Sequence, residues 1–254
     1  MVASSSIVRV AVLAGCLAWT SVPAFARQQV DAGAEVDVNS AYVFRGIVFS
    51  EGAVAQTRVW ASVDDLFVYA WSNVAFPPAA GVRPLDEVDL GAAYTFTRGH
   101  LSITPALDVY IYRISALQAA AGQVPRTAEV STTFTYTAAG TDVFVRHVVD
   151  ALGYAGAYFA QVGVTRSGRI APGTDLGIEA SVGWASARYN RSYVGVRRPG
   201  VGLAATRLLA TRTLGPKMSV TTHVDLSAVP DARLRVGLPR PTVAAAGITI
   251  GLHR

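Results

Sequence analysis

From residue 30 onward the chain alternates between polar and apolar positions. Glu87, Asp89, Gly91, Ala93, Thr95 and Thr97 interleave with Val88, Leu90, Ala92, Tyr94 and Phe96. Successive residues of a strand point to opposite faces, so this stretch predicts a strand with one small, polar face and one apolar face ending in aromatics. The same period recurs along the chain. Val30, Ala32, Ala34, Val36 and Val38 oppose Asp31, Glu35 and Asp37. Leu101, Ile103, Leu107, Val109 and Ile111 oppose Ser102, Thr104, Asp108, Tyr110 and Tyr112. Leu176, Ile178, Ala180, Val182 and Trp184 oppose Asp175, Glu179 and Ser181. Twelve strands are predicted: 30–38, 55–63, 66–76, 87–97, 101–112, 127–137, 141–149, 154–165, 175–185, 200–212, 218–228 and 242–252.

The breakers fall between these segments. Of the 12 prolines, Pro23 precedes the alternation and only Pro105 lies inside a proposed strand. The connections alternate in length. Asp64-Asp65, Arg98-Gly99-His100, Ala138-Ala139-Gly140, Arg166 to Gly173 and Leu214 to Lys217 are mostly tight turns. Asn39 to Gly52, Pro77 to Asp86, Arg113 to Arg126, Ser186 to Pro199 and Val229 to Pro241 are longer loops, and Asp150 to Gly153 is the exception, short on the long side. Short turns at one end and long loops at the other predict an all-β, single up-and-down antiparallel transmembrane β-barrel of about twelve strands.

Composition narrows the choice. The chain has 254 residues, 51% hydrophobic and only 15% charged. Past the N-terminus no run of ~18 uncharged apolar residues exists, which excludes a helical membrane bundle. A soluble sandwich also alternates, but its outer face carries charge, usually several lysines; here Lys217 is the only lysine. Apolar outside and polar inside requires lipid outside.

The first residues read as an address. Arg9 is followed by the apolar run Val10 to Trp19, and Ala24-Phe25-Ala26 is a small-x-small cleavage site. This predicts a secretory signal over 1–26 and a barrel over 27–254. Leu13-Ala14-Gly15-Cys16 also fits a lipobox, in which Cys16 carries lipid, and that alternative stays open. If the cut follows Ala26 the mature chain has no cysteine.

After the first strand comes Asn39-Ser40-Ala41-Tyr42-Val43-Phe44-Arg45-Gly46-Ile47, and the next hairpin ends in Trp71-Ser72-Asn73-Val74. This stretch of about 40 residues resembles the opening signature, S-x-Y-x-F-R-G, of the TorF-like porin family of Gram-negative bacteria. The resemblance implies an outer-membrane β-barrel with a channel role and no established substrate. The chain departs from many barrels at its end: Ile248-Thr249-Ile250-Gly251-Leu252-His253-Arg254 lacks the terminal aromatic that aids recognition by the barrel-insertion machinery, its expected partner in biogenesis.

No catalytic constellation stands out. His223 and Asp225 share an inward face with Ser227, which permits a barrel hydrolase; a polar lining is the better reading, because outer-membrane lipases need such groups facing lipid. There is no P-loop, dinucleotide fingerprint or paired-histidine metal spacing, so no enzyme activity and no cofactor or metal is expected. The basic pI of about 9.6 suits nucleic acid, but the location opposes it. Charge sorts by place instead. Alternation turns Asp31, Glu35, Asp37, Glu87, Asp89, Asp108, Glu129, Asp175, Glu179, His223 and Asp225 inward, against Arg45, Arg58 and Arg146. The long loops carry Arg83, Arg113, Arg126, Arg188, Arg191, Arg197, Arg198, Arg233, Arg235 and Arg240, which suit the phosphates of outer-membrane lipid and lipopolysaccharide. The expected function is a porin-like channel for passive diffusion of small solutes, modestly cation-preferring, with Arg58 and Arg146 facing an acidic wall across the lumen. The alternative is a structural or surface-interaction barrel with a plugged lumen, since twelve strands enclose only a narrow interior.

Overall fold

The computed structural model describes residues 30–77, 84–114, 120 and 122–253. The leader over 1–26, Cys16 and Arg83 lie outside the described residues. Twelve strands close into one antiparallel barrel: β1 (Val30–Asn39), β2 (Ala53–Val63), β3 (Leu66–Phe76), β4 (Leu85–Tyr94, continued as Phe96–Arg98), β5 (Leu101–Tyr112), β6 (Arg126–Ala138), β7 (Thr141–Asp150), β8 (Tyr158–Ala171), β9 (Thr174–Ala185), β10 (Gly200–Gly215), β11 (Met218–Ala228) and β12 (Thr242–His253). Each strand pairs with the next, and β12 closes on β1 through Val36↔Ile250 and Asn39↔Gly247. Closure leaves the barrel sheet no free edge, so its strand backbone groups pair with neighbouring strands without water, save at the break in β4.

The break in β4 has a chemical cause. The β4–β5 ladder runs to Ala93↔Ala106 and resumes at Phe96↔Ile103. Pro105 falls in the gap, and proline has no N–H to donate to a ladder. On its other side Pro105 keeps its register with Thr132 of β6.

The alternation sorts as expected. Val59, Leu90, Val162, Val182, Leu208, Val224 and Ile250 are exposed on the outside. Tyr94 and Phe96 pack 4.7 Å apart on that face toward the short turns, and Trp184 and Tyr158 meet at 6.1 Å toward the long loops. An apolar belt between aromatic girdles is the exterior of a membrane-spanning barrel.

Three connections differ from the sequence reading. Residues 166–171 extend β8 in register with β9, so the turn shrinks to Pro172-Gly173. β8 also starts later, at Tyr158, because the Asp150 carboxylate accepts from the N–H groups of Leu152 and Tyr154, each at 2.9 Å, and winds this segment into a turn. The larger difference lies between β1 and β2. Residues 39–52, read as a long loop, hold a second, two-stranded sheet of Tyr42–Phe44 and Ile47–Ser50, folded into the barrel mouth.

Val30 beside Val63 and His253 beside Lys217, the two ends of the described barrel, share one rim with the tight turns. An epitope inserted at Gly195, in the long loop between β9 and β10, is therefore expected to be accessible on intact cells. One inserted at Gly140, between β6 and β7, is expected to be hidden. The reverse labelling would mean that the barrel sits the other way up.

Candidate functional site

The inner hairpin turns on Arg45 and Gly46, both with positive φ (50° and 82°). Two left-handed residues make the two-residue turn whose twist matches a hairpin. Gly46 supplies that conformation without strain, and a side chain there would also press on Leu203 at 3.1 Å. The turn aims Arg45 across the lumen at β6. Its guanidinium donates to both oxygens of Glu129, at 2.8 and 2.6 Å, and is flanked by the rings of Phe44 (4.5 Å) and Phe159 (4.8 Å). Tyr110 donates to the same carboxylate at 3.0 Å. A planar, bidentate cation suits a carboxylate that water does not reach.

The rest of the hairpin follows from its residues. Ser40 ties its base to β12, its N–H donating to the carbonyl of Ala246 and its hydroxyl accepting from the N–H of Ala246. Tyr42 packs on Trp71 at 5.6 Å and Phe44 on Tyr110 at 6.1 Å. Ile47 enters a small hydrophobic core with Val148, Phe159, Ala185, Tyr189, Val194 and Leu203. Tyr189 and Val194 come from helix α1 (Ala187–Tyr193) and the residue that caps it; Ser186 opens the helix by accepting from the Tyr189 N–H at 3.2 Å. The mouth of the barrel thus holds an apolar knot inside a polar tube.

From the chamber below the hairpin to the one above it, polar side chains link across seven strands. Arg207 of β10 meets Asp225 of β11 at 3.0 Å. His223 lies 2.6 Å from Asp225 through Nδ1 and 3.2 Å from Asp37 of β1 through Nε2. Thr249 of β12 donates to Asp37, as does Asn39; Asn39 also donates to Gln56, Gln56 to Asn73, and Asn73 to Asp86. Gly247 makes room for this ladder, since a Cβ there would stand 2.5 Å from the His223 ring. Both ring nitrogens of His223 are engaged by carboxylates, so the arrangement holds a ring in place and leaves it no nitrogen for a general base.

The sequence-derived residues fall at separate places in the lumen. Glu87, Asp89, Asp108 and Glu129 come together on β4, β5 and β6, with Asp108 directly opposite Glu129 in register. Arg146 approaches this wall, 3.8 Å from Asp108, which also accepts from Tyr69 at 2.6 Å. Arg58 does not face the wall: it pairs at 2.6 Å with Glu35, its register neighbour on β1, because adjacent strands bring the two side chains together at once. Glu179 faces the chamber below the hairpin beside Arg207. Asp175 sits at the short-turn rim, 3.4 Å from Arg169, with its side chain partly in solvent. The expected count of three inward arginines is too low. Arg207 adds to it, from a strand whose alternation Leu208-Leu209 blurs; Arg169, from a segment read as turn, lies at the short-turn rim with its side chain 72% exposed. The apolar inward side chains of Val148, Phe159 and Leu203 also lie outside the sequence expectation. The adjacent pairs Val148-Val149 and Tyr158-Phe159 carried the signal: apolar residues on both faces mark a strand end buried inside as well as outside.

Two chambers remain beside the hairpin. The lower holds about 310 Å³ and is lined by Asp37, Arg45, Gln161, Glu179, Arg207 and His223. The upper holds about 260 Å³ and is lined by Phe49, Glu87, Tyr112, Tyr154 and Tyr193. Tyr42 lines both.

A closed twelve-stranded up-and-down barrel, apolar outside and charged inside, is a membrane-spanning barrel of the outer-membrane type. No protein-family model matches the chain, and no curated protein matches it in sequence. Solved structures similar to it include the KdgM porin, at 6% identity and TM-score 0.49 over 88% of this chain and 97% of that one. The NanC porin is similar at 10% identity and TM-score 0.47, over 88% of this chain and 98% of that one. An outer-membrane channel from Pseudomonas putida F1 is similar at 8% identity and TM-score 0.46, over 91% and 97%.

Proposed function

We propose that this protein is a porin-like outer-membrane channel, related to the TorF-like porins, in which the inner hairpin narrows the route for small polar solutes. The observation that carries the reading is the pair of chambers above and below the hairpin, both touched by Tyr42. The signature residues support it, since Ser40, Tyr42, Phe44, Arg45 and Gly46 each build the hairpin. Three outer-loop arginines, Arg188, Arg191 and Arg197, line one cleft of about 650 Å³, which suits contacts with lipid phosphates.

A second reading is favoured by the buried Arg45–Glu129 pair and the apolar knot around Ile47. In it the hairpin is a fixed plug and the barrel serves structure or surface contact. Single-channel recording of the purified, refolded protein in a planar bilayer separates the two. The channel reading expects small, discrete conductance steps; a silent bilayer with folded protein inserted overturns it in favour of the plug.

Selectivity is the second measurement. Of the inward carboxylates, Glu35, Asp108, Glu129, Asp175 and Asp225 meet an arginine, so the acidic excess is moderate. A modest cation preference is expected from the reversal potential under a KCl gradient. It should fade with salt as the Debye length drops from ~10 Å at 0.1 M to ~3 Å at 1 M. Asp89→Asn with Glu179→Gln should reduce it. Anion preference in the native protein would overturn the acidic-lumen idea.

A further inference from the structure

The upper chamber has a lining unlike the rest of the interior. Five aromatic rings border it: Tyr42, Phe49, Tyr112, Tyr154 and Tyr193. Tyr42 and Phe49 meet edge to face at 5.3 Å, and so do Tyr154 and Tyr193 at 5.1 Å. Two carboxylates, Asp86 and Glu87, and one cation, Arg113, complete the charged lining. Asp86 is engaged by the amide of Asn73 at 2.7 Å, and Arg113 is exposed. Glu87 is 3% exposed; its carboxylate lies beside the Tyr42 hydroxyl and Asp89, and its Oε1 has no hydrogen-bond partner among the described residues.

A buried carboxylate oxygen without a partner is costly, and the cost is relieved by a nearby cation. Aromatic faces carry negative potential and attract the same charge, best when water is excluded. A carboxylate behind a wall of rings therefore selects one chemistry, a soft organic cation. Anions are refused by Glu87, and a small hydrated metal ion finds only two carboxylates, Asp86 and Glu87, where it needs a full shell of oxygens. The volume of about 260 Å³ lies below the ~300–1,000 Å³ of drug-sized sites, which limits the occupant to a small molecule.

We propose that the chamber above the hairpin binds small organic ammonium solutes, the ammonium group seated among Tyr42, Tyr112 and Tyr193 with the charge of Glu87 behind them. This deepens the channel reading by naming a solute class, and rests on it only for how the solute arrives. Binding is therefore measured without conduction, by calorimetric titration of the refolded full-length protein in detergent. The probes are choline and dimethylbutanol, its neutral carbon isostere. Choline is expected to bind at least about tenfold more tightly than the isostere. Glu87→Gln should weaken choline about tenfold and leave the isostere unchanged. Tyr193→Leu, on α1 and outside the barrel wall, should weaken choline several-fold; it decides the matter if Glu87→Gln fails to show the heat-dependent gel shift of a folded barrel. Equal binding of the two probes, no binding of choline, or choline affinity indifferent to both substitutions overturns the proposal. Choline binding by a protein that conducts nothing would leave the site standing and the channel reading fallen. Conduction without choline binding would do the opposite.

Discussion

Replacing residues 41–51 with a short Gly-Ser link raises the single-channel conductance several-fold. The link is feasible because Asn39 and Val54 are register partners on adjacent strands, so the ends it joins are already neighbours. The expectation follows from what the segment occupies: the hairpin carries Tyr42, which borders both chambers, and it covers the core around Phe159 and Leu203. Unchanged conductance would mean that solutes do not pass beside it, or that other side chains set the narrowest point. Arg45→Ala tests the latch that holds it. The change leaves Glu129, whose side chain is only 2% exposed, without its cation, and breaking a buried pair from one side costs about 3–5 kcal/mol. Arg45→Ala should lower the urea midpoint in detergent and give larger, noisier conductance steps. Adding Glu129→Gln should recover part of the stability, because the stranded charge is gone, while the conductance stays high, because the latch is still missing. A stable, quiet Arg45→Ala barrel would show that the apolar knot alone holds the hairpin.

The second large effect lies on the outside. Leu90 stands in the middle of β4, 48% exposed, between Ala70 of β3 and Val109 of β5. Leu90→Arg should cost about 2–4 kcal/mol, the price of an arginine near the bilayer midplane. Asp89→Asn, one residue away, should not destabilise the barrel, because its side chain points into the lumen and the amide removes a buried charge whose Oδ1 has no partner. Unfolding in lipid vesicles compares the two. Equal losses would mean that the faces of β4 have been assigned wrongly.

Arg45 and Glu129 show where the sequence stops being informative about the site. Each can be turned inward by reasoning along its own segment, Glu129 by strict alternation and Arg45 by the signature around it. Their pairing spans 84 residues, and His223 meets Asp37 across 186. Such contacts depend on how far the barrel staggers when it closes, which no local pattern records. Glu35 and Arg58 are the opposite case, since one hairpin sets their register. Arg207, beyond the three expected inward arginines, sits where alternation is blurred by the paired leucines Leu208-Leu209.

The alternation of side chains by itself determined the barrel: twelve strands, their inner and outer faces, and which rim carries the long loops. It could do so because a strand's period is a local property, and because lipid outside demands an unbroken apolar face on every strand. Only the tertiary structure decided what fills the tube. Residues 39–52 read as a loop because a two-residue turn with positive φ looks the same pointing outward or inward. The direction was set by partners far away in sequence, Glu129 for the charge of Arg45 and the ring of Phe159 for its flat face. Burial of Ile47 with Leu203 and Val194 then made inward folding the state that hides the most apolar surface from water.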